Sequence, residues 1–208
     1  MIPLRVALSK GRLLDPALAL FSRIGVTPAT DIGRELVFAS TDNRYRFLLV
    51  KPVDVPTYVE QGAADIGVTG GDVLLETDRD VLRPLDLAFG ACRIVVAAPI
   101  GETANPNGRV RRIATKYPRI ANRFFEAQQI PIETIVLGGS VELAPSTGLA
   151  DWIVDLVETG HTLSANCLEP IAEIASAHAQ LIVNRASQKI RRVEIADLIN
   201  RLSKELPC

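Results

Sequence analysis

Short apolar runs recur along this chain: RVALS (5–9), DIGVT (65–69), ACRIVVAA (91–98), IETIVL (132–137), WIVDLV (152–157) and LIVN (181–184). Each is too brief for a buried helix, and most lack the apolar–polar alternation of a strand with one wet face. Strands covered on both faces read this way. Amphipathic stretches fall between many of the runs, which is the pattern of βαβ units. The expected class is therefore α/β, with a mainly parallel sheet.

The remaining elements follow from spacing. Segment 12–24 reads as a helix with Leu13, Leu14, Ala17, Leu18, Phe21 and Ile24 on one face and Gly25 as its stop. Glu35–Ser40 and Arg46–Lys51 read as paired strands around Thr41-Asp42-Asn43. Val55–Gln61 reads as a helix, and Gly70-Gly71-Asp72 as a turn in which Asp72 caps a helix over 73–77. Pro99–Gly108 is a loop, a helix is expected near 119–129, and Ser187 is expected to cap a long closing helix over 188–206. On that helix Ile190, Val193, Ala196, Ile199 and Leu202 recur at helical spacing. No internal repeat or low-complexity tract is visible. The organisation expected is two lobes, residues 1–90 joined by 185–208, and residues 91–184.

Composition narrows the function classes. The 208 residues are 48% hydrophobic and 23% charged, ordinary for a globular fold. With 23 basic and 24 acidic residues, the formal charge of −1 argues against a globally basic nucleic-acid binder. The opening MIPLRVALSKGRLL places Arg5, Lys10 and Arg12 inside its apolar stretch, unlike a secretory signal, and no window reaches the ~18 apolar residues of a membrane span. Cys92, Cys167 and Cys208 are odd in number and widely spaced, so reduced thiols in a cytoplasm are expected rather than a zinc site or a disulfide framework.

Ligands of open α/β folds bind at the carboxyl ends of strands, so the chemistry is sought there. After WIVDLV comes ETGHTL, a turn into a short helix. Gly160 permits close backbone approach, Thr159 and Thr162 offer hydroxyls, and the helix start aims N–H groups at an anion. Asp151 and Asp155, four apart in a strand, share a side and are available to ribose hydroxyls. The bland alternative is a buried turn with capping threonines, and spacing alone leaves both open. His161 reads mainly as a backbone contributor. SKGRL (9–13) sets Lys10 and Arg12 around Gly11 at another strand end, where a solvated helix start is the alternative. DIGVTGGD (65–72) has the glycines for close approach of a flat ligand, or for a plain tight turn. Residues 109–123 hold six basic residues and no acid, a run suited to pyrophosphate, triphosphate or nucleic acid or, for most of its members, to a solvated face or subunit interface; Lys116 and Tyr117 are best placed for a ligand. No Ser/His/Asp or Cys/His arrangement, metal cluster or Walker A pattern is present in the sequence.

The segment ELAPSTGLADWIVDLVETGHTL (142–163) resembles the signature of the ATP phosphoribosyltransferase family, which opens histidine biosynthesis, through Glu142, Gly148, Ala150, Ile153, Asp155, Leu156, Thr159, Gly160, Thr162 and Leu163. SKGRL, DVPTYVEQGAADIGVTGGDVL (54–74), FGACRIVVAAP (89–99), IATKYP (113–118) and LIVN extend the resemblance over nearly the whole chain. It implies a two-lobed fold like the type II periplasmic binding proteins, with the active site in the interlobe cleft. The implied reaction is attack of N1 of ATP on phosphoribosyl pyrophosphate (PRPP), with release of pyrophosphate and a requirement for Mg²⁺.

The resemblance assigns PRPP to Asp151, Asp155, Leu156, Thr159, Gly160, His161, Thr162 and Leu163, and ATP to Lys10, Gly11, Arg12, Gly71, Asp72, Arg93 and Glu142. It makes lobe I the nucleotide side and lobe II the PRPP side. Lys51 stands where many relatives carry an arginine, and with Arg93 it is the implied catalytic pair. The chain's length resembles the short form of the family, which works as a homodimer joined to a histidyl-tRNA-synthetase-like regulatory subunit in a hetero-octamer. Neither a membrane nor nucleic acid is an expected partner. The competing classes are a solute-binding protein of the same architecture and a type I phosphoribosyltransferase. The latter also follows acids with a T-G-x-T turn, but those acids are usually adjacent.

Overall fold

The computed structural model describes residues 2–30, 35–102 and 110–207. Most of the loop expected over Pro99–Gly108 lies outside them, as do Arg109 and Cys208. The chain forms two units: Met1–Gly90 with His178–Cys208, and Ala91–Ala177.

In the first unit the chain runs β1 (Leu4–Ser9), α1 (Leu14–Arg23), β2 (Val37–Ala39), β3 (Tyr45–Val50), α2 (Val55–Glu60), β4 (Ile66–Gly70), α3 (Gly71–Thr77) and β5 (Leu82–Asp86). The second unit contributes β6 (Cys92–Pro99), β7 (Arg111–Thr115), α4 (Pro118–Ala127), β8 (Ile132–Val136), β9 (Trp152–Val157), α5 (His161–Ala165) and β10 (Leu168–Ala177). The chain then returns through β11 (Ala179–Val183), α6 (Arg185–Ile190) and α7 (Arg192–Lys204).

The first sheet has the order β2-β3-β1-β4-β11-β5 and the second β10-β6-β9-β7-β8. In each, three strands are parallel, β3-β1-β4 and β8-β7-β9. In each, the strand entering from the other unit inserts antiparallel beside the third, β11 on β4 and β6 on β9. A last antiparallel strand, β5 or β10, closes the edge. The sheets are thus mixed, and apart from β2 they share one strand order.

The first core centres on Phe47, fully buried, with Phe21 edge-on at 5.6 Å and Phe38 stacked at 5.1 Å. A second cluster covers the sheet's other face through Ala7, Val55, Val59, Leu74 and Ile182. In the other unit Trp152 and Val154 pack to one side of β9 and Ile153 and Val157 to the other.

Four details depart from the sequence reading. The return to the first unit begins at His178 rather than at 185, because β11 is a central strand there: Leu181 and Val183 enter one core and Ile182 the other. β5 and β10 were not legible because each contains a proline, Pro84 or Pro170, and both occupy sheet edges, where a missing N–H costs no ladder bond. Asp72 does not cap α3. Gly70 holds the cap position, and Asp72 sits inside the first turn with its carboxylate folded over Gly70, where a Cβ would collide with it.

The fourth departure is the closing helix, which is two. Asn184, not Ser187, is the cap, accepting from Ser187 N at 2.8 Å, and Arg191 (φ −116°, ψ 32°) breaks the run. The break rotates the buried face to Ile195, Leu198 and Leu202 and leaves Ile190 83% and Val193 82% exposed. Among the described residues, no helix is long and apolar enough to cross a membrane.

Candidate active site

The carboxyl ends of the three parallel strands of the second sheet converge on one cavity of about 420 Å³. β7 delivers Lys116, the segment after β8 delivers Gly139, Ser140, Val141 and Glu142, and β9 delivers Asp155 through Val157 with the following Glu158, Thr159, Gly160, Thr162 and Leu163. The loop's shape follows from its residues. Gly160 takes φ 83°, a left-handed conformation that lets the chain reverse into α5, and Leu163 anchors the helix in the core. Thr159 and Thr162 stay exposed at the rim.

β7 and β9 pair in register with Thr115 opposite Val154, which brings the next residues together: Lys116 Nζ lies 3.5 Å from Asp155 Oδ1. The ammonium also sits 5.0 Å from the centre of the Tyr117 ring. Burial pushes the Asp155 carboxyl above its ordinary value. Lys116 and the Leu156 N–H, which donates to Asp155 Oδ1 at 2.8 Å, oppose that rise, and Glu142 adds to it. Among the described residues that line the cavity, Lys116 is the only cation, facing Glu142, Asp155 and Glu158.

Several residues assigned from the sequence stand elsewhere. Asp151 precedes β9 at the opposite end of the strand, where its carboxylate accepts from Arg112 N at 2.8 Å and lies 3.7 Å from the Arg112 guanidinium. It ties β9 to β7 and does not line the cavity. His161 opens α5 exposed and is also absent from the lining. Arg93 pairs in register with Val157 but is exposed and bridges to Glu173 of β10 at 3.3 Å.

In the first unit the carboxyl ends of β1, β3 and β4 gather the remaining assignments. Lys10, Gly11 and Arg12 follow β1, and Lys51 follows β3. Gly71 and Asp72, both buried, follow β4. Gly11 needs its glycine, with φ 90°, and Gly71 N donates to His178 O at 2.8 Å. Gly139, Ser140 and Glu158 were not singled out from the sequence. The available signal was Gly138-Gly139-Ser140 after an apolar run, the same kind of strand-end turn as Gly70-Gly71-Asp72.

The family model for ATP phosphoribosyltransferase matches residues 51–204, which include the whole of this cavity. The chain belongs to the ATP phosphoribosyltransferase family. An ATP phosphoribosyltransferase of Caldanaerobacter subterraneus is 48% identical over 201 residues, covering 95% of this chain and 94% of that one. That of Pseudomonas fluorescens is 47% identical over 204 residues, covering 97% and 96%. Among solved structures, the ATP phosphoribosyltransferase HisG:HisZ complex of Thermotoga maritima matches with a TM-score of 0.86 at 35% identity, covering 97% of each chain. The alkanesulfonate-binding protein SsuA of Xanthomonas axonopodis, bound to MOPS, matches with a TM-score of 0.57 at 13% identity over 98% of this chain and 73% of that one. That second likeness speaks for the architecture alone, which this family therefore shares with a solute-binding protein.

Proposed function

We propose that this chain transfers the 5-phosphoribosyl group of PRPP to N1 of ATP, releasing pyrophosphate. The observation that carries the reading is the cavity in the second unit, where the family's signature residues Glu142, Asp155, Thr159, Gly160 and Thr162 line one space of about 420 Å³. The 159–162 turn takes the 5′-phosphate through the Thr159 and Thr162 hydroxyls and the first-turn N–H groups, His161 among them, which have no intrahelical acceptor. Asp155 accepts hydrogen bonds from the ribose hydroxyls. Leu156 and Leu163 shape the cavity wall.

Displacement at the anomeric carbon forms the N1–C1′ bond as the C1′–O bond to pyrophosphate breaks, with the electron pair leaving on the pyrophosphate. The intervening charge is oxocarbenium-like, so the residues have to orient and neutralise rather than attack. In the first unit Lys10, Gly11, Arg12, Gly71 and Asp72 are assigned to ATP and Lys51 to the departing pyrophosphate; in the second unit Glu142 is assigned to ATP and Arg93 to both. Asp151, engaged with Arg112, holds the strand rather than the substrate.

One lysine against three carboxylates is a poor receptacle for a polyanion. The donor set therefore fits Mg²⁺ carried in with the pyrophosphate, whose charge it would offset. The relative from Thermotoga maritima was solved with HisZ, and a regulatory subunit of that kind, added to a catalytic homodimer, is the partner proposed here. The place of action is the cytoplasm, where ATP and PRPP are made.

Mixing the protein with ATP, PRPP and Mg²⁺ tests the reading. Phosphoribosyl-ATP absorbance and pyrophosphate release are expected together. No product, even with a HisZ-type subunit present, would overturn it.

A further inference from the structure

Thr115 ends β7 fully buried, with a hydroxyl where its strand neighbours Ile113 and Ala114 are apolar. Its Oγ1 donates to Val154 O at 2.7 Å and accepts from Tyr117 N at 2.8 Å. Those partners bracket the ion pair of the cavity, since Tyr117 follows Lys116 and Val154 precedes Asp155. One hydroxyl thus ties the segment bearing the ammonium to the strand bearing the carboxylate. A lysine side chain is long and rotamer-rich, so fixing its backbone origin narrows the region its ammonium can reach.

The first unit repeats the device. Ser9, also buried, ends β1, donates Oγ to Val68 O at 3.0 Å and is followed by Lys10. β1 and β7 hold the same place in their sheets, between the second and third parallel strands. Two dissimilar segments, LSKGR and ATKYP, arrive at a buried hydroxyl bonded to the third strand with a lysine next in sequence. Packing alone gives no reason for this. A valine would fill the volume of Thr115, and what it would lose is the acceptor of Tyr117 N and the donor to Val154 O, the two bonds that frame Lys116 and Asp155.

We propose that Thr115 is a positioning residue for the phosphoribosyl donor: its hydroxyl sets the Lys116–Asp155 pair that PRPP meets on binding, through Lys116 at the phosphate and Asp155 at the ribose. This rests on the function proposed above. Thr115→Val keeps the volume and removes both hydrogen bonds, whereas Thr115→Ser keeps the hydroxyl. Steady-state kinetics with the HisZ-type subunit present should show the KM for PRPP raised about 10-fold in Thr115→Val, the effect of one misplaced charge-assisted contact, and the KM for ATP changed by less than about 2-fold. Thr115→Ser should restore the wild-type value.

Lys116→Met supplies a second reading that leaves the hydroxyl alone. It should raise the PRPP KM at least as far, and the double variant should go little further, because both changes act through one ammonium. Equal rises in both KM values, failure of the serine to rescue, additive single effects, or an unchanged PRPP KM in Lys116→Met would each overturn the proposal. So would an active wild type whose Thr115→Val variant keeps its PRPP KM. A wild type that forms no phosphoribosyl-ATP overturns the functional reading, and this inference falls with it.

Discussion

Asp155 is held between two demands. Burial favours its neutral form, while Lys116 and the Leu156 N–H favour the carboxylate, the form proposed to accept from ribose hydroxyls. Because its pKa in the folded chain lies above the ordinary 3.8, the fold binds a proton at Asp155 more tightly than the unfolded chain does. The stability linked to this group is therefore greatest below the unfolded value and is lost as pH rises through the folded one. Substrate binding has the opposite sign, since hydroxyl donors favour the ionised form, so PRPP affinity should rise with pH above 3.8 until Asp155 is ionised. Asp155→Asn should flatten that rise in binding titrations. It should also raise the KM for PRPP about 10-fold or more, with a smaller change for ATP, as expected from losing hydrogen bonds to a charged acceptor. Asp151 shows how two residues of one type part company. From the strand period both carboxylates share a side, but only Asp155 stands at the end where the parallel strands stop.

At the scale of elements, the loop at 158–162 and the α6–α7 junction show opposite uses of local geometry. Gly160 is needed for its backbone rather than for space: with φ 83°, the nearest atom to an added Cβ is 4.0 Å away at Val157 Cγ1. Gly160→Ala should therefore cost about 1–2 kcal/mol of left-handed strain and no collision. The expected result is a folded protein with a slightly lowered Tm and weaker PRPP binding by calorimetry. Asn184 is the reverse, a side chain that several backbones depend on. Its Oδ1 caps α6 through Ser187 N, and its Nδ2 donates to Val59 O at 2.8 Å and Glu60 O at 3.1 Å. Asn184→Ala should lose about 2 kcal/mol, a cap together with buried acceptors left unsatisfied, in denaturant melts, with KM values unchanged. Ser187 and Asn184 are both good N-cap residues in sequence, and the hydrogen bond from Ser187 N to Asn184 Oδ1, which starts α6 at Arg185, decides between them.

For the whole molecule, the first unit has to join the start of the chain to its end, and Asp65 makes the join. Its carboxylate receives Arg5 N at 2.9 Å, the Arg5 guanidinium at 3.2 Å and Ser187 Oγ at 2.7 Å, with Arg191 at 3.6 Å. Arg191 in turn donates to Pro3 O and Ile2 O. Burial alone would raise Asp65, but the hydrogen bonds from Arg5 and Ser187 outweigh it and hold the carboxyl below 3.8. That stability is present above the unfolded value and is lost as pH falls through the folded one. Chemical denaturation across the acid range should show a loss that is smaller in Asp65→Asn, while the variant is less stable than wild type at neutral pH.

The sequence by itself determined the α/β class, the apolar runs that become strands and the glycine–threonine turn after β9, but it did not show that two of those runs, β6 and β11, enter their sheets antiparallel. Those signals are local: apolar runs for strands buried on both faces, and a glycine–threonine turn inside one continuous segment. It did not reveal β5 and β10, whose prolines weaken the strand pattern and are tolerated only at a sheet edge. Nor did it place β11 in the first sheet. Lys116 could be picked from a basic run, but its pairing with Asp155 depends on the β7–β9 register across 39 residues of chain. Tertiary structure alone decided which of two acids faces the cavity, which lysine answers it and which buried hydroxyl holds that lysine, because register and strand ends are properties of paired segments and no single segment carries them.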